Sequence, residues 1–269
     1  MIENPFRPMH LNGLRYRGGR HSLVMGGARV EPDALIVHYS AGGRGLDALR
    51  EFIRKRPKQA SYNWTYDQDG GAGEFVEAQD ASWHSGDGWA PAADDVLESG
   101  FVPVADVPKP PKRWTNLRSR SVCMVNRGWV NNERAIRLRR QGQEVLEARH
   151  RNPASRATLW HGYTDDQYQA LEDTLPFIVQ ECPSLRIVLG HEDVTNGFIF
   201  GKGKWKGGSK VDPGAVWDWD RIPWQKFGLT VVRYDYDDQG WRAYRELGKG
   251  DPRSYNGPGS VPARVEVGP

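Results

Sequence analysis

With 269 residues, 38% of them apolar, the chain is long enough to bury one substantial core. Its 37 basic and 34 acidic residues leave a formal charge of +3, too even a balance for a dedicated nucleic-acid binder but of the right sign for an anionic surface such as a cell wall. No apolar run is long enough to insert into a membrane, and the start MIENPFRPMHLNG lacks the basic-then-apolar layout of a secretory signal, so cytoplasmic synthesis without a signal peptide is expected. The two cysteines, Cys123 and Cys182, lie in apolar stretches without the spacing of a zinc knuckle. They read as buried thiols, with a disulfide open but not supported by the count.

Residues 1–32, rich in Arg and Gly, read as an irregular arm or short hairpin laid on the domain. DALIVHYS (33–40) is a short β-branched run ended by AGGRG, a buried strand that carries His38 at its end. Leu46, Leu49, Phe52 and Ile53 fall at helical spacing between Gly45 and Pro57, with Arg50, Arg54 and Lys55 opposite. SYNWTYDQDGGAGEFVEA (61–78) alternates around Asp69-Gly70 and predicts a hairpin with Tyr62, Trp64 and Tyr66 on one face. The proline-rich stretch from Ala90 to Lys112 predicts a long surface loop.

SRSVCMVNRGW (119–129) reads as a second buried strand. The charged segment after it fits a helix or a polar hairpin turning at Gly142, and the alternation of Ile136 and Leu138 with arginines favours the hairpin. Thr164 and Gln167 form a capping box ahead of Tyr168, Leu171 and Leu175, predicting a helix from about 165 to Cys182 with Pro176 inside it and a kink near 172. LRIVLGHEDV is a short strand that delivers His191. FGLTVVRYDYDD and GWRAYREL form a candidate appended hairpin, followed by a tail. The order strand, helix, hairpin, strand, helix, strand predicts an α/β fold, a mixed central β-sheet flanked by helices. The expected division is an arm over 1–32, one main domain over 33–224 and a C-terminal extension over 225–269.

Three residues stand where chemistry is possible. His38 and His191 each end a buried strand, and Asp212 precedes Pro213, which restricts its backbone to an extended conformation and so aims its carboxylate. One buried imidazole is readily satisfied by a core hydrogen bond. Two imidazoles and a carboxylate together are the usual ligand set of a catalytic Zn2+ with its fourth position left to water.

The blocks HYSAG (38–42), SYNWTYDQDG (61–70), WHSG (83–86), GHEDV (190–194) and KVDPG (210–214) resemble, in order and spacing, the signature stretches of zinc-dependent N-acetylmuramoyl-L-alanine amidases. That family comprises phage lysis amidases, bacterial wall-recycling amidases and animal peptidoglycan recognition proteins. The resemblance implies an amidase-like fold over the main domain and a peptidoglycan or muropeptide substrate. It makes His38, His191 and Asp212 the zinc ligands, Lys210 a cation for the developing oxyanion, and Tyr62 a hydroxyl that orients the attacking water. Trp83 and His84 fall in a block that lines the substrate cleft, and the basic run GKGKWKGGSK (201–210) offers Trp205 to a sugar face among lysines. The glutamate that serves recycling-type members as general base has no counterpart in Ser121–Asn126. A non-catalytic wall-binding protein on this fold, and a zinc hydrolase of another amide, are the rival readings. The setting is a lysis enzyme, a secreted toxin or a cytoplasmic recycling enzyme.

Overall fold

The chain is described by a computed structural model over residues 2–11, 24–25, 28–42, 45–55, 61–86, 88, 90, 92–99, 101–103, 114–150, 155–195, 199–201, 204–206, 210–237 and 240–245. The N-terminal segment carries Arg7–Pro8 (β1) and a small hairpin, Val24–Met25 (β2) with Ala28–Arg29 (β3). Phe6, Met9 and Leu11 are buried, so the arm is pinned to the domain by side chains as well as by pairing of β1 with the sheet. Ala34–Tyr39 (β4) follows, buried through His38 because helices cover both faces of the sheet.

Leu46–Lys55 (α1) buries Leu46, Leu49 and Ile53, while Phe52 points to solvent at 45% exposure. Trp64–Tyr66 (β5) and Ala72–Glu74 (β6) form the expected antiparallel hairpin. Tyr62 does not share the face of Trp64 and Tyr66: it packs with Leu49, Ile53 and Cys123, whereas those two pack with Phe6 and Leu175. The reason is Asn63. Its amide donates to the Val76, Glu77 and Asp80 carbonyls and its Oδ1 accepts from Ser82 Oγ and Ser121 N, so regular alternation begins only after it.

The stretch expected to be a long loop contains Ala93–Ser99 (α2) and Phe101–Pro103 (β7). Val96 is fully buried, and Asp33 Oδ2 accepts from Ala93 N at the start of the helix. Trp114–Arg118 (α3) leads into Ser119–Met124 (β8), buried throughout. The charged segment after it is a helix, Asn132–Arg140 (α4), and not a hairpin. Asn131 caps its start, Ala135 and Leu138 bury the inner face, and Gly142 at φ 72° closes its end. Ile136 is exposed, so its alternation with arginines was a surface feature without period-two meaning. Val145–Glu147 (β9) and Leu159–His161 (β10) then form a separate two-stranded sheet.

The capping box of Thr164 and Gln167 opens Asp165–Glu181 (α5), which runs on through Pro176. Ile187–Gly190 (β11) and His191–Thr195 (α6) follow, then a short hairpin, Ile199–Gly201 (β12) with Lys204–Lys206 (β13). Two 3-10 turns, Trp219–Arg221 and Trp224–Phe227, lead to Thr230–Asp237 (β14) and Gly240–Arg245 (β15).

The principal sheet has nine strands in the order β1-β6-β5-β8-β4-β11-β14-β15-β7. Its centre is parallel, β5 with β8, β8 with β4, β4 with β11 and β11 with β14. Leu35, Val37, Val122 and Met124 face Leu171, Leu175 and Ile178 of α5; Ala34, Ile36, Ile187 and Leu189 face Val96 of α2 on the other side. The C-terminal hairpin is therefore no appendage, because β14 pairs directly with β11 and buries Val231 and Val232. The boundary expected at residue 224 falls inside the connectivity of the sheet. Both cysteines are free and buried. Among the described residues no helix is long and apolar enough to cross a membrane.

Leu171 has no exposed surface, so Leu171→Ala should destabilise the chain by about 2–5 kcal/mol in denaturant unfolding, through lost transfer energy and a cavity. Arg233 of β14 lies 3.0 Å from Glu192 Oε1 and 3.2 Å from Asp193 Oδ2, all three buried. Arg233→Met should cost about 3–5 kcal/mol, because two buried carboxylates lose their cation. A cost under about 1 kcal/mol would show that this ion cluster adds little to stability.

Candidate metal centre

The site is assembled at the carboxyl ends of the parallel strands, where side chains leave a buried sheet. His38 is the fifth residue of β4, on the face packed against α1 and α2, and His191 follows β11 directly. Asp212 arrives from a turn that is held at several points. Its carbonyl accepts from Glu192 N at 2.6 Å, and Tyr163 Oη donates to the Pro213 carbonyl at 2.7 Å. The Asp212-Pro213 peptide is cis.

Two glycines make the turn possible. A Cβ on Gly190 would stand 2.7 Å from Pro213 Cδ, so only glycine lets the proline ring close on the end of β11. Gly214 adopts φ 93°, and a Cβ there would meet the Trp160 ring at 2.4 Å. The GH and DPG motifs are thus two halves of one contact.

His38 Nδ1 and His191 Nδ1 both face Asp212 Oδ2, at 3.0 and 2.8 Å, and the two imidazole centroids are 4.4 Å apart. One donor atom from each residue lies within 4.8 Å of the others, and all three side chains are buried. Burial chiefly, and His191 next, lower His38 to about pKa 4 against the pull of Asp212, with Lys210 adding a little more. The ring is then neutral at ordinary pH, the form a metal ligand needs. Burial pushes the Asp212 carboxyl up, but the two imidazoles outweigh it and hold the group well below the usual carboxylate range.

The donor set fits Zn2+. Two ligands bound tetrahedrally at about 2.0–2.2 Å stand about 3.3–3.5 Å apart, so the imidazole nitrogens need to part from the carboxylate by only a few tenths of an ångström. Two neutral nitrogens and one anionic oxygen leave the fourth tetrahedral position to water.

The remaining expected residues fall into three groups. Tyr62 stands beside the cluster, its ring 5.3 Å from that of His38. Its hydroxyl engages Cys123, whose thiol is pushed well up by burial first and by Asp212 second, with Tyr62 opposing. Lys210 is exposed, close enough to act on His38.

His84 is buried against His38, with Nδ1 at 3.1 Å from His38 Nε2. Trp83 is half-buried; its carbonyl accepts from Ser61 N and its N–H donates to Ser61 Oγ. Trp205 lies on β13, and its side chain is outside the described residues.

Several residues that support the site carry no motif. Asn116 Oδ1 accepts from both His84 N and Ser85 N at 2.9 Å, and Ser119 Oγ lies 3.0 Å from His84 Nε2. Tyr163 and Trp160 hold the Asp212 turn. Glu192, the carboxylate next to His191, is engaged by His150 at 2.5 Å and by Arg233, so it belongs to the scaffold. Asp193 Oδ2 accepts from Gly190 N at 3.0 Å and braces the same strand end. The signal for these residues was their placement next to the motifs, which has meaning only once the strands are paired.

No curated protein sequence matches the chain. Among solved structures it resembles a selenomethionine derivative of AmpD, with 15% identity and a TM-score of 0.43, covering 73% of this chain and 84% of that one. It also resembles the N-acetylmuramyl-L-alanine amidase AmiD from E. coli, solved with anhydro-N-acetylmuramic acid-L-Ala-D-gamma-Glu-L-Lys, with 17% identity, a TM-score of 0.45 and 76% of this chain covered. This match spans 59% of the length of AmiD. AmpDh3 from Pseudomonas aeruginosa, in complex with an anhydromuramic pentapeptide, is 17% identical at a TM-score of 0.43, with 81% and 67% of the two chains covered. The family profile for N-acetylmuramoyl-L-alanine amidases matches residues 28–215 of 269, and these include all three clustered donors. With more than half of its length matched, the chain belongs to the N-acetylmuramoyl-L-alanine amidase family.

Proposed function

We propose that the protein is a zinc-dependent N-acetylmuramoyl-L-alanine amidase, cleaving the amide between the lactyl group of N-acetylmuramic acid and L-alanine in peptidoglycan or its fragments. The observation that carries the reading is the buried convergence of His38, His191 and Asp212 inside the matched region. Bound by these three, zinc supplies a Lewis acid for the scissile carbonyl and lowers the pKa of water toward neutrality.

The chain's own groups do the rest. His38 is held neutral by burial and presents a nitrogen lone pair. Asp212 is held well below the usual carboxylate range despite its burial, with His191 the largest opposing cause. Lys210, exposed beside the cluster, is placed to offset negative charge developing on the carbonyl oxygen, where one well-placed donor is typically worth a factor of about 100–1,000 in turnover. Tyr62, adjacent to His38, is the nearest candidate to orient the attacking water. Retention of all three donors favours hydrolysis over wall binding alone.

Digestion of purified peptidoglycan by native and chelator-treated protein, followed by mass spectrometry, should release stem peptides beginning with L-alanine only when zinc is present. Tight wall binding by the zinc-loaded chain with no release would replace the amidase with a binding protein. Asp212→Ala should lose tightly bound zinc and activity together, while Lys210→Ala should keep zinc and lose turnover by about 100-fold or more. Unchanged turnover in Lys210→Ala would remove the oxyanion role.

A further inference from the structure

We infer that His84 is a positioning residue which, through Ser119 and the Thr115 carbonyl, sets the tautomer of His38 so that its Nδ1 lone pair faces Asp212. The reasoning starts at the far end of a buried chain. The Thr115 carbonyl oxygen has no hydrogen to give, and Ser119 Oγ lies 2.5 Å from it, so the serine hydroxyl donates there. Ser119 Oγ then meets His84 Nε2, at 3.0 Å, as an acceptor. In a neutral ring this puts the hydrogen of His84 on Nε2 and leaves a lone pair on Nδ1.

That lone pair stands 3.1 Å from His38 Nε2, which must therefore carry the hydrogen of His38. The consequence reaches the metal centre. His38 Nδ1 is left as a lone pair pointing at the carboxylate oxygen of Asp212, 3.0 Å away. Two acceptors at this distance repel one another, and a cation between them satisfies both. The reverse order of hydrogens would turn the Ser119 hydroxyl toward His84 and leave two oxygen lone pairs opposed at 2.5 Å.

The chain is built to hold one direction. His84, Ser119 and Thr115 are all buried, with relative exposures of 2%, 0% and 2%. The backbone of His84 and Ser85 is fixed by Asn116 Oδ1, whose own amide donates to the Gly86 carbonyl. Thr115 Oγ1 donates to the Gly88 carbonyl. An outer partner that orients an imidazole ligand in this way commonly changes metal affinity by about 10- to 100-fold.

This inference rests on the reading of His38 as a zinc ligand, and the test separates the two. Zinc dissociation constants from competition with a chromophoric chelator should rise about 10- to 100-fold in His84→Leu. The increase should be smaller in Ser119→Ala, and His84→Asn should stay close to the native value, because its side-chain oxygen can occupy the place of Nδ1. In the metal-free native protein, long-range 15N–1H correlation spectra should show His38 with its hydrogen on Nε2. A folded His84→Leu protein with native zinc affinity, or a native His38 protonated on Nδ1, would overturn the inference. If His84→Leu does not fold, the native tautomer and Ser119→Ala decide. If the native chain binds no zinc while His38 still carries its hydrogen on Nε2, the amidase reading fails and the positioning role stands.

Discussion

One carboxylate oxygen, Asp212 Oδ2, is shared by two imidazole nitrogens in the interior. Moving a carboxylate out of water is costly unless charge or hydrogen bonds compensate it. The groups that face this carboxylate come from distant parts of the chain, His38 lying 174 positions before Asp212, so the site exists only when β4, β11 and the Asp212 turn are all in register. The glycines at 190 and 214, the Tyr163 bond to Pro213 and the Trp160 ring against Gly214 each restrict that turn. Most of the cost of ordering the donors is thereby met on folding, before any ligand arrives.

The same requirement explains why the sheet extends past the matched region. His191 begins a short helix whose next two residues, Glu192 and Asp193, are buried carboxylates. Arg233 on β14 lies between them and stacks its guanidinium over Trp219, 4.5 Å from the ring centroid. A planar cation that reaches two carboxylates and an aromatic face at once is a task for arginine and not for lysine. The C-terminal strand thus acts on the site through charge as well as through backbone pairing, and its contribution begins at residue 230, beyond the end of the family match.

Much of this was legible in the sequence because period and punctuation carried it. The β-branched run at 34–39, the Asp69-Gly70 hairpin and the Thr164 capping box each name a local structure, and each forms. The donor triad was legible because His38 and His191 end buried runs and Asp212 precedes a proline, all within blocks that resemble the amidase signatures, and the three do converge. Reading failed where tertiary contacts override local pattern. Ile136 alternates with arginines yet sits on the exposed side of a helix, whose inner face needs only Ala135 and Leu138. Val96 is buried because β7 and α2 are folded onto the sheet, a partnership that the proline-rich composition of 90–112 hides. The position of His84 against His38 follows from Asn116 and Ser119, which nothing in WHSG reveals.

The charge balance of the centre bears on the missing base. Among the described residues β8 contributes no carboxylate, its line of side chains running from Ser119 to Met124, and Glu192 is already committed to Arg233 and His150. Among the described residues Asp212 is then the carboxylate that faces both imidazoles, with Lys210 close enough to act on His38. On the proposed reading, a divalent cation held by His38, His191 and Asp212 would leave this set net positive, where a further carboxylate would have left it closer to neutral. An electropositive, partly desolvated centre lowers the pKa of water more strongly and holds an oxyanion more tightly. On the proposed reading, the absence of a carboxylate on β8 leaves the developing charge to Lys210 and the orienting of water to Tyr62.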